Sequence, residues 1–281
     1  MNDNTPVRRI WLCADDYGIS PAVNEAVRAL VTQGRLNATS VMVGAPSFSR
    51  AEAASLSMLN NDRKRVAIGL HFTLTTPFRP LTQGHRPLKD GMFLSIGSSL
   101  ITGLRRGFDP KTLEGEAVAQ MQAFIAAFGR PPDFIDGHQH VHLFPQVRDA
   151  VLKIAADLAP GAWVRQCGRI GPARRSWSDR KALLLDRLST SFQARARVLG
   201  VPTNPAFAGT YDFRPGADFA VIFPRFLDHL PDGSVVMCHP GFVDAELRRL
   251  DPLTTLRERE YAFLADDTFP RVLASQRVAL A

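Results

Sequence analysis

The stretch Arg9-Ile-Trp-Leu-Cys-Ala-Asp-Asp-Tyr-Gly18 joins a short apolar run to two adjacent carboxylates. An apolar run of this length, ended by polar residues, is typical of a strand that is buried on both faces. The residues that follow predict a helix, because Ser20 can serve as its N-cap and Pro21 suits its first position. The chain therefore begins with a strand–helix unit, and the strand carries Asp15 and Asp16 at its carboxyl end.

The same alternation of strand and helix continues along the chain. Further strands are predicted at 38–43, 65–70, 133–136, 162–165, 206–213 and 234–238. Helices are predicted at 21–33, 49–59, 110–128, 145–158, 177–199, 219–230 and 253–264. This alternation is typical of parallel βαβ units. We predict an α/β fold in which residues 1–281 form a single (β/α) barrel-like domain with about seven parallel strands.

The segment 78–107 interrupts this pattern. It is rich in Pro, Gly and basic residues, and its length predicts an excursion from the barrel. A barrel is favoured over an open sheet because polar residues follow most of the predicted strands. In a barrel the carboxyl ends of the strands converge on one face, where an active site would lie.

The stretch Asp136-Gly-His-Gln-His-Val-His142 contains three of the seven histidines. Histidine and carboxylate are the usual ligands of a catalytic divalent metal. In an extended segment alternate histidines lie about 7 Å apart, so one or two would bind an ion and the rest would line its pocket. A helical zinc motif is not favoured, because Gln139 replaces the Glu of that motif and Pro145 follows closely. We interpret the stretch as a loop after a strand; the alternative is a polar surface loop that is rich in histidine.

Four more polar residues follow predicted strands: Asp15, Asp16, His71 and His239. Asp16, His71 and one histidine of the loop would form a site with open positions, suited to Zn²⁺, Mn²⁺, Co²⁺ or Fe²⁺ and less naturally to Mg²⁺. Asp15 is then better placed to accept a proton from an activated water, and His239 to donate one. Taken singly, each residue also has a structural alternative in a turn, in the core or in a loop.

Four motifs resemble those of the YdjC-like carbohydrate deacetylases. They are Ala14-Asp-Asp-Tyr-Gly18, Gly69-Leu-His71, the histidine-rich stretch 136–142 and His239-Pro-Gly241, in the order found in that family. The resemblance implies a distorted barrel related to polysaccharide deacetylases. It also implies removal of the acetyl group from an N-acetylated amino sugar or short oligosaccharide, often a chitooligosaccharide, with the help of one divalent ion.

The resemblance also implies roles for individual residues. The metal ligands would be Asp16, His71 and His138, and the general base Asp15. His239 falls where we expect the acid, and we predict that Arg165 and His140 contact substrate. Arg165 resembles an active-site arginine of the wider superfamily. Members of the family often carry a Glu on the strand before His-Pro-Gly, whereas this chain has Ser234-Val-Val-Met-Cys238 there.

The composition bears on partners and location. The net charge of +7 would suit an anionic partner, but the basic clusters are short and scattered, so nucleic-acid binding is not favoured. The three cysteines form no CxxC motif, no signal-peptide pattern is present, and no apolar run approaches ~20 residues. These features predict a cytoplasmic protein without a membrane partner, and a homodimer is left open.

Two other enzymatic functions fit the same ligand types. One is a metal-dependent amidohydrolase or phosphoesterase acting on a non-sugar substrate, although a phosphoesterase would need further carboxylates for a second ion. The other is an Fe²⁺ oxygenase with two histidines and one carboxylate. Release of acetate from an N-acetyl sugar would separate the deacetylase from both alternatives.

Overall fold

A computed structural model describes residues 6–63, 66–169 and 180–281, without the side chains of residues 180–182. The strands are β1 Arg8–Tyr17, β2 Ala38–Val41, β3 Ala67–Phe72, β4 Phe134–Gly137, β5 Trp163–Val164, β6 Phe207–Ala208, β7 Ser234–Cys238 and β8 Val278–Leu280. The helices are α1 Pro21–Thr32, α2 Arg50–Met58, α3 Ile96–Leu104, α4 Pro110–Phe128, α5 Val147–Leu158, α6 Arg180–Val198, α7 Phe219–Phe226, α8 Ala245–Leu250, α9 Thr255–Ala265 and α10 Thr268–Ser275.

The strands form one parallel sheet in the order β5-β4-β3-β2-β1-β7-β6, and β8 pairs with the start of β1. The first seven strands curl into a half-barrel, which confirms the predicted α/β fold with about seven parallel strands. Within the described parts of the chain, no ladder joins β5 to β6, and the N–H of Val164 in β5 donates to the carbonyl of Pro202, before β6, at 2.9 Å. No helix in these parts has the length and apolar character needed to cross a membrane.

Several element bounds differ from the sequence predictions. The predicted strand 206–213 is reduced to Phe207–Ala208, and the excursion contains the helix α3. The short elements α8, α10 and β8 were not predicted, because two or three turns or three strand residues leave too little periodicity to detect. Residue 65 of the third predicted strand and residues 177–179 of the sixth predicted helix lie outside the described residues.

The excursion is anchored to the barrel through α4. Glu116 is fully buried, and its carboxylate accepts hydrogen bonds from the backbone N–H groups of Leu81 at 3.1 Å and Thr82 at 2.9 Å. One turn further along the helix, Gln120 accepts from the backbone N–H of Thr73 at 3.0 Å and donates to its carbonyl at 2.8 Å. Because Thr73 lies just after β3, the same face of α4 holds both the excursion and the end of that strand.

The packing of β3 against β4 gives a stability prediction. A Cβ atom at Gly69 would lie 2.4 Å from the Phe134 ring, which stacks on Trp163 with 4.5 Å between ring centroids. We expect Gly69→Ala to lower the free energy of unfolding by about 1–3 kcal/mol, because the stacked rings must shift. Urea unfolding measures this change.

A second glycine serves as the control for that substitution. Gly115 lies on the exposed side of α4, and a Cβ atom there would meet nothing within 4 Å. Gly115→Ala should therefore stabilise the protein by about 0.5–1 kcal/mol. Equal unfolding free energies for wild type and Gly69→Ala would show that this contact adapts without cost.

Candidate metal and catalytic site

An irregularity at the end of β1 places two neighbouring carboxylates at the same site. Successive strand residues normally point to opposite faces of a sheet. Between Ala14 and Tyr17, however, β1 contains one residue more than β2, and Asp16 has a φ of 68°. Such a bulge redirects side chains. A positive φ is uncommon for a residue other than glycine. As a result Asp15 and Asp16, each 2% exposed, both line the same cleft.

Two histidines from two other strand ends meet the side chain of Asp16. Its Oδ1 lies 3.2 Å from Nε2 of His71 and 2.9 Å from Nδ1 of His138. One ligand atom from each residue can be chosen so that all three lie within 4.8 Å of one another, and all three residues are buried. The structure therefore brings together the three residues that the sequence analysis named as metal ligands, and their His₂Asp donor set suits a divalent ion.

The three histidines of the loop lie in three different environments. A 3-10 segment, His138–Leu143, follows β4, and positive φ values at Gln139 and His140 prevent an extended course. His138 points to Asp16, whereas His142 is buried and its Nε2 lies 2.8 Å from the Arg165 carbonyl. Only one histidine of the loop therefore joins the group of candidate ligands.

His140 occupies the wall of the cleft, as predicted for a residue near the substrate. Its Nδ1 lies 3.5 Å from Sγ of Cys167, and its ring meets the Phe207 ring edge-on. Burial lowers the pKa of His140 and also lowers that of His142, to about 4. Both imidazoles are therefore neutral near pH 7, and they serve as hydrogen-bonding groups.

Asp136 orients the candidate ligand His71, a role the sequence analysis did not assign. Its Oδ1 lies 2.6 Å from Nδ1 of His71, which leaves Nε2 of that ring directed at Asp16. Burial disfavours the charged form of His71, but Asp136 outweighs this effect and raises the pKa to about 10. A carboxylate behind a histidine ligand is the usual way to fix the ring and its tautomer. The position of Asp136 at the start of the histidine-rich stretch was the available sequence signal.

Arg165 lies behind the cleft rather than in it. The side chain is fully buried. Its Nη1 donates to Oδ2 of Asp15 and its Nη2 to Oδ1 of Asp15, each at 2.7 Å. Nη2 also lies 2.5 Å from Oδ2 of Asp136. Arg165 is not among the described residues that line the cleft, in contrast to the predicted contact with substrate. Burial raises the pKa of Asp15, but Arg165 outweighs burial and holds that pKa well below its usual range.

A second buried arginine, Arg257 on α9, holds Asp16. Its Nη2 donates to Oδ2 of Asp16 at 2.6 Å and to Oδ2 of Asp251 at 2.8 Å, while its Nε donates to the Leu253 carbonyl at 2.9 Å. The two oxygens of Asp16 therefore have separate partners, because Oδ1 faces the histidines. No sequence pattern pointed to Arg257, which is 241 positions away from Asp16 along the chain.

His239 follows β7 and lines the cleft, and a buried carboxylate holds its backbone. The N–H of His239 donates to Oε2 of Glu260 at 2.5 Å, and the hydroxyl of Tyr211 donates to Oε1 at 2.6 Å. Burial raises the pKa of Glu260 above its ordinary value. The carboxylate beside His239 therefore comes from α9, although the strand Ser234–Cys238 lacks the Glu that family members often carry.

The cleft has a volume of about 390 Å³, which falls within the usual range of small-molecule sites. Its polar residues include the candidate ligands, Asp15, His140 and His239. Apolar side chains complete the wall, among them Leu185, Phe213 and Met237. Ile96 at the start of α3 also contributes, so the excursion forms part of the cleft.

The fold and the cleft define an α/β half-barrel enzyme with a polar site at the carboxyl ends of its parallel strands. The chain belongs to the YdjC-like protein family, whose sequence profile matches residues 9–275.

Individual relatives extend over most of the chain. The chain is 28% identical over 262 residues to a carbohydrate deacetylase from Vibrio vulnificus (strain YJ016). The alignment covers 90% of this chain and 86% of that protein. It is 28% identical over 248 residues to a chitooligosaccharide deacetylase from Escherichia fergusonii, covering 86% of this chain and 85% of the other. Among solved structures, one named as a candidate cellobiose-phosphate cleavage protein from Enterococcus faecalis V583 shares the fold. Its TM-score is 0.72 at 21% identity, with 98% of this chain and 97% of that chain covered.

The geometry predicts which substitutions remove the ion. We expect Asp16→Asn and His138→Ala each to abolish stoichiometric binding of a divalent metal, because the first removes the negative charge of the site and the second removes one of two buried imidazoles. Elemental analysis of the purified variants measures the metal content. His229→Ala, an exposed histidine outside the cleft, is the control and should keep the wild-type content. Full metal occupancy in both site variants would contradict the ligand assignment.

Proposed function

We propose that this protein is a metal-dependent hydrolase that removes the N-acetyl group from an acetylated amino sugar or a short, chitooligosaccharide-like oligosaccharide. The main support is one observation: three buried candidate ligands lie in the same cleft as Asp15 and His239. The names of the Vibrio and Escherichia relatives support the sugar substrate. The sheet uses the chain from Arg8 to Leu280, which supports a single catalytic domain.

One divalent ion would be held by Asp16, His71 and His138. This donor set suits Zn²⁺, Mn²⁺ or Co²⁺, and Mg²⁺ less naturally. When bound, the ion would polarise the acetyl carbonyl and lower the pKa of a water molecule.

Asp15 is the proposed general base. Two hydrogen bonds from Arg165 fix its carboxylate and keep it ionised, as a proton acceptor must be. An ionised carboxylate has about four acceptor positions, so two bonds from Arg165 leave room for a water molecule on the cleft side. Asp15 would take a proton from that water as it attacks the acetyl carbon.

His239 is the proposed general acid. Its Nδ1 is buried without a hydrogen-bond partner among the described residues, so Nε2 is the nitrogen that can reach substrate. The amine of the sugar is a poor leaving group unless it gains a proton while the C–N bond breaks. His239 would supply that proton, and acetate and the free amine would result.

The remaining wall would position the sugar. His140 lines the cleft, and we propose that it hydrogen-bonds to substrate. Arg165 is better explained as the group that orients Asp15, because it is fully buried. The apolar side chains of Leu185, Phe213 and Met237 offer contacts for the acetyl methyl group and for the faces of the sugar ring.

The alternative of a phosphoesterase with two ions finds less support. Cys13, Asp15 and Asp136 form a second close group of potential ligands. Both carboxylates of that group are already paired with the buried guanidinium of Arg165. The positive charge that a second ion would supply is therefore provided by the protein. An amidohydrolase for a non-sugar amide stays open, and acetate release from a panel of acetylated mono- and oligosaccharides tests it.

A substitution of Asp15 distinguishes the proposed base from the proposed metal ligands. Asp15→Asn should retain the metal but lose about 10²–10⁴-fold in kcat on an N-acetyl sugar, which is the usual contribution of a general base. Acetate release and elemental analysis on the same preparation measure the two properties. Turnover near the wild-type rate with metal bound would remove Asp15 from the mechanism.

The second prediction concerns the acid. His239→Ala should slow hydrolysis of an N-acetyl sugar much more than hydrolysis of 4-nitrophenyl acetate, because an activated ester leaves without a proton. The ratio of the two rates, measured on one preparation, is the diagnostic quantity. Equal losses on amide and ester would indicate that His239 orients substrate or supports the fold instead.

A further inference from the structure

Helix α9 presents two buried charged residues to the site from one side. Arg257 and Glu260 are three positions apart, so they project from the same face of the helix. Both are fully buried, whereas the residues between them, Glu258 and Arg259, are exposed. A buried charge is costly unless it is paired, so each inward residue should have a specific partner.

The partner of Arg257 is the candidate metal ligand Asp16. Arg257 contacts the oxygen that faces away from His71 and His138, and it also binds Asp251 and the Leu253 carbonyl. These three bonds fix the guanidinium, and the guanidinium in turn fixes the plane of the Asp16 carboxylate. Hydrogen-bonded partners of this kind orient metal ligands, and their loss usually costs about 10–100-fold in metal affinity or activity.

The partner of Glu260 is the backbone of the proposed acid His239. Glu260 accepts from the His239 N–H, and its other oxygen accepts from Tyr211. Phe213, two residues after Tyr211, meets the His239 ring edge-on with 5.6 Å between ring centroids. Glu260 and the segment after β6 therefore restrain both the backbone and the ring of His239.

The backbone at Gly241, just after β7, contacts α9 directly. The N–H of Gly241 donates to the Arg257 carbonyl at 3.1 Å. A Cβ atom at this position would lie 2.9 Å from Cγ2 of Val23 and 3.4 Å from Cδ of Arg257. Glycine in the His-Pro-Gly turn thus lets the backbone after His239 contact the helix that holds Asp16.

We propose that α9 is a positioning helix, in which Arg257 orients Asp16 for metal binding and Glu260 places His239 for proton donation. Because both residues belong to one helical turn, the helix sets the distance between the ion and the proton donor. Neither residue touches substrate in this scheme. The inference rests on the proposed function, since it assigns the two halves of that reaction to two residues of one element.

The test uses two variants, each with a partial restoration, and one control from the same helical turn. Arg257→Met and Glu260→Met remove the polar groups while keeping much of the volume of the side chain. Arg257→Lys restores the charge, and Glu260→Gln restores one acceptor. Glu258→Met changes an exposed residue of the same turn and serves as the control.

Two readouts are measured on every protein. One is the affinity for Zn²⁺, determined by competition with a chromogenic chelator. The other is the ratio of rates on an N-acetyl sugar and on 4-nitrophenyl acetate, with saturating metal. Circular dichroism and thermal unfolding identify variants that do not fold.

We expect the two readouts to separate. Arg257→Met should weaken Zn²⁺ binding about 10–100-fold and leave the amide-to-ester ratio near its wild-type value. Glu260→Met should lower the amide-to-ester ratio about tenfold or more, because a misplacement of a catalytic group by about 1 Å can lower the rate ~10²-fold. The Zn²⁺ affinity of this variant should stay within about threefold of wild type. Each restoring variant should give an intermediate value, and Glu258→Met should match wild type.

Arg257→Lys also decides the matter if Arg257→Met does not fold. An ammonium group keeps the charge but cannot make the three directed bonds of the guanidinium, so Zn²⁺ binding should still weaken. Tighter Zn²⁺ binding in either Arg257 variant would show that Arg257 only repels the ion, and this would overturn the proposal.

Equal changes of both readouts in the Arg257 and Glu260 variants would also overturn it, because α9 would then act only on stability. If wild type releases no acetate from any N-acetyl sugar, the proposed function and the acid role fail. The Zn²⁺ measurements would still decide the role of Arg257 toward Asp16.

Discussion

Two buried ion pairs determine what the active cleft can be. Asp15 and Asp16 are adjacent in sequence, and each is held by its own fully buried arginine, Arg165 after β5 and Arg257 on α9. Two neighbouring carboxylates without cations would repel each other, and burial would favour their protonation. Each arginine pairs with its own carboxylate and orients it differently. This division suits two adjacent, chemically identical residues to the different roles proposed for them, Asp15 as base and Asp16 as metal ligand.

The parallel sheet brings the partners of these carboxylates together. His71, His138, Arg165 and His239 lie at or just after the carboxyl ends of β3, β4, β5 and β7, which meet on one face of the half-barrel. The bulge in β1 adds the local change of direction that an ordinary strand could not provide. The excursion contributes only Ile96 to this wall, and buried Glu116 anchors it. The polar chemistry thus comes from the strand ends, whereas the excursion shapes the opening.

Much of the fold and part of the site could be predicted from the sequence. Buried strands followed by amphipathic helices have clear periods, and Ser20 caps the start of α1 where it was expected. Asp16, His71, His138 and His239 could be proposed because each follows a predicted strand. The short elements β8, α8 and α10 could not be predicted, because elements of three to eight residues have too little periodicity to be distinguished from loops.

The sequence alone determined the alternation of strands and helices and the residue types that gather at the strand ends. Those properties depend on local spacing, which a linear pattern preserves. Only the tertiary structure decided that Arg165 lies behind Asp15, that Asp136 orients His71, and that Arg257 and Glu260 reach the site from α9. These pairings join residues 21 to 241 positions apart. The partner of a buried charge is decided by which side chains packing brings within hydrogen-bonding distance, and local sequence spacing carries no record of that.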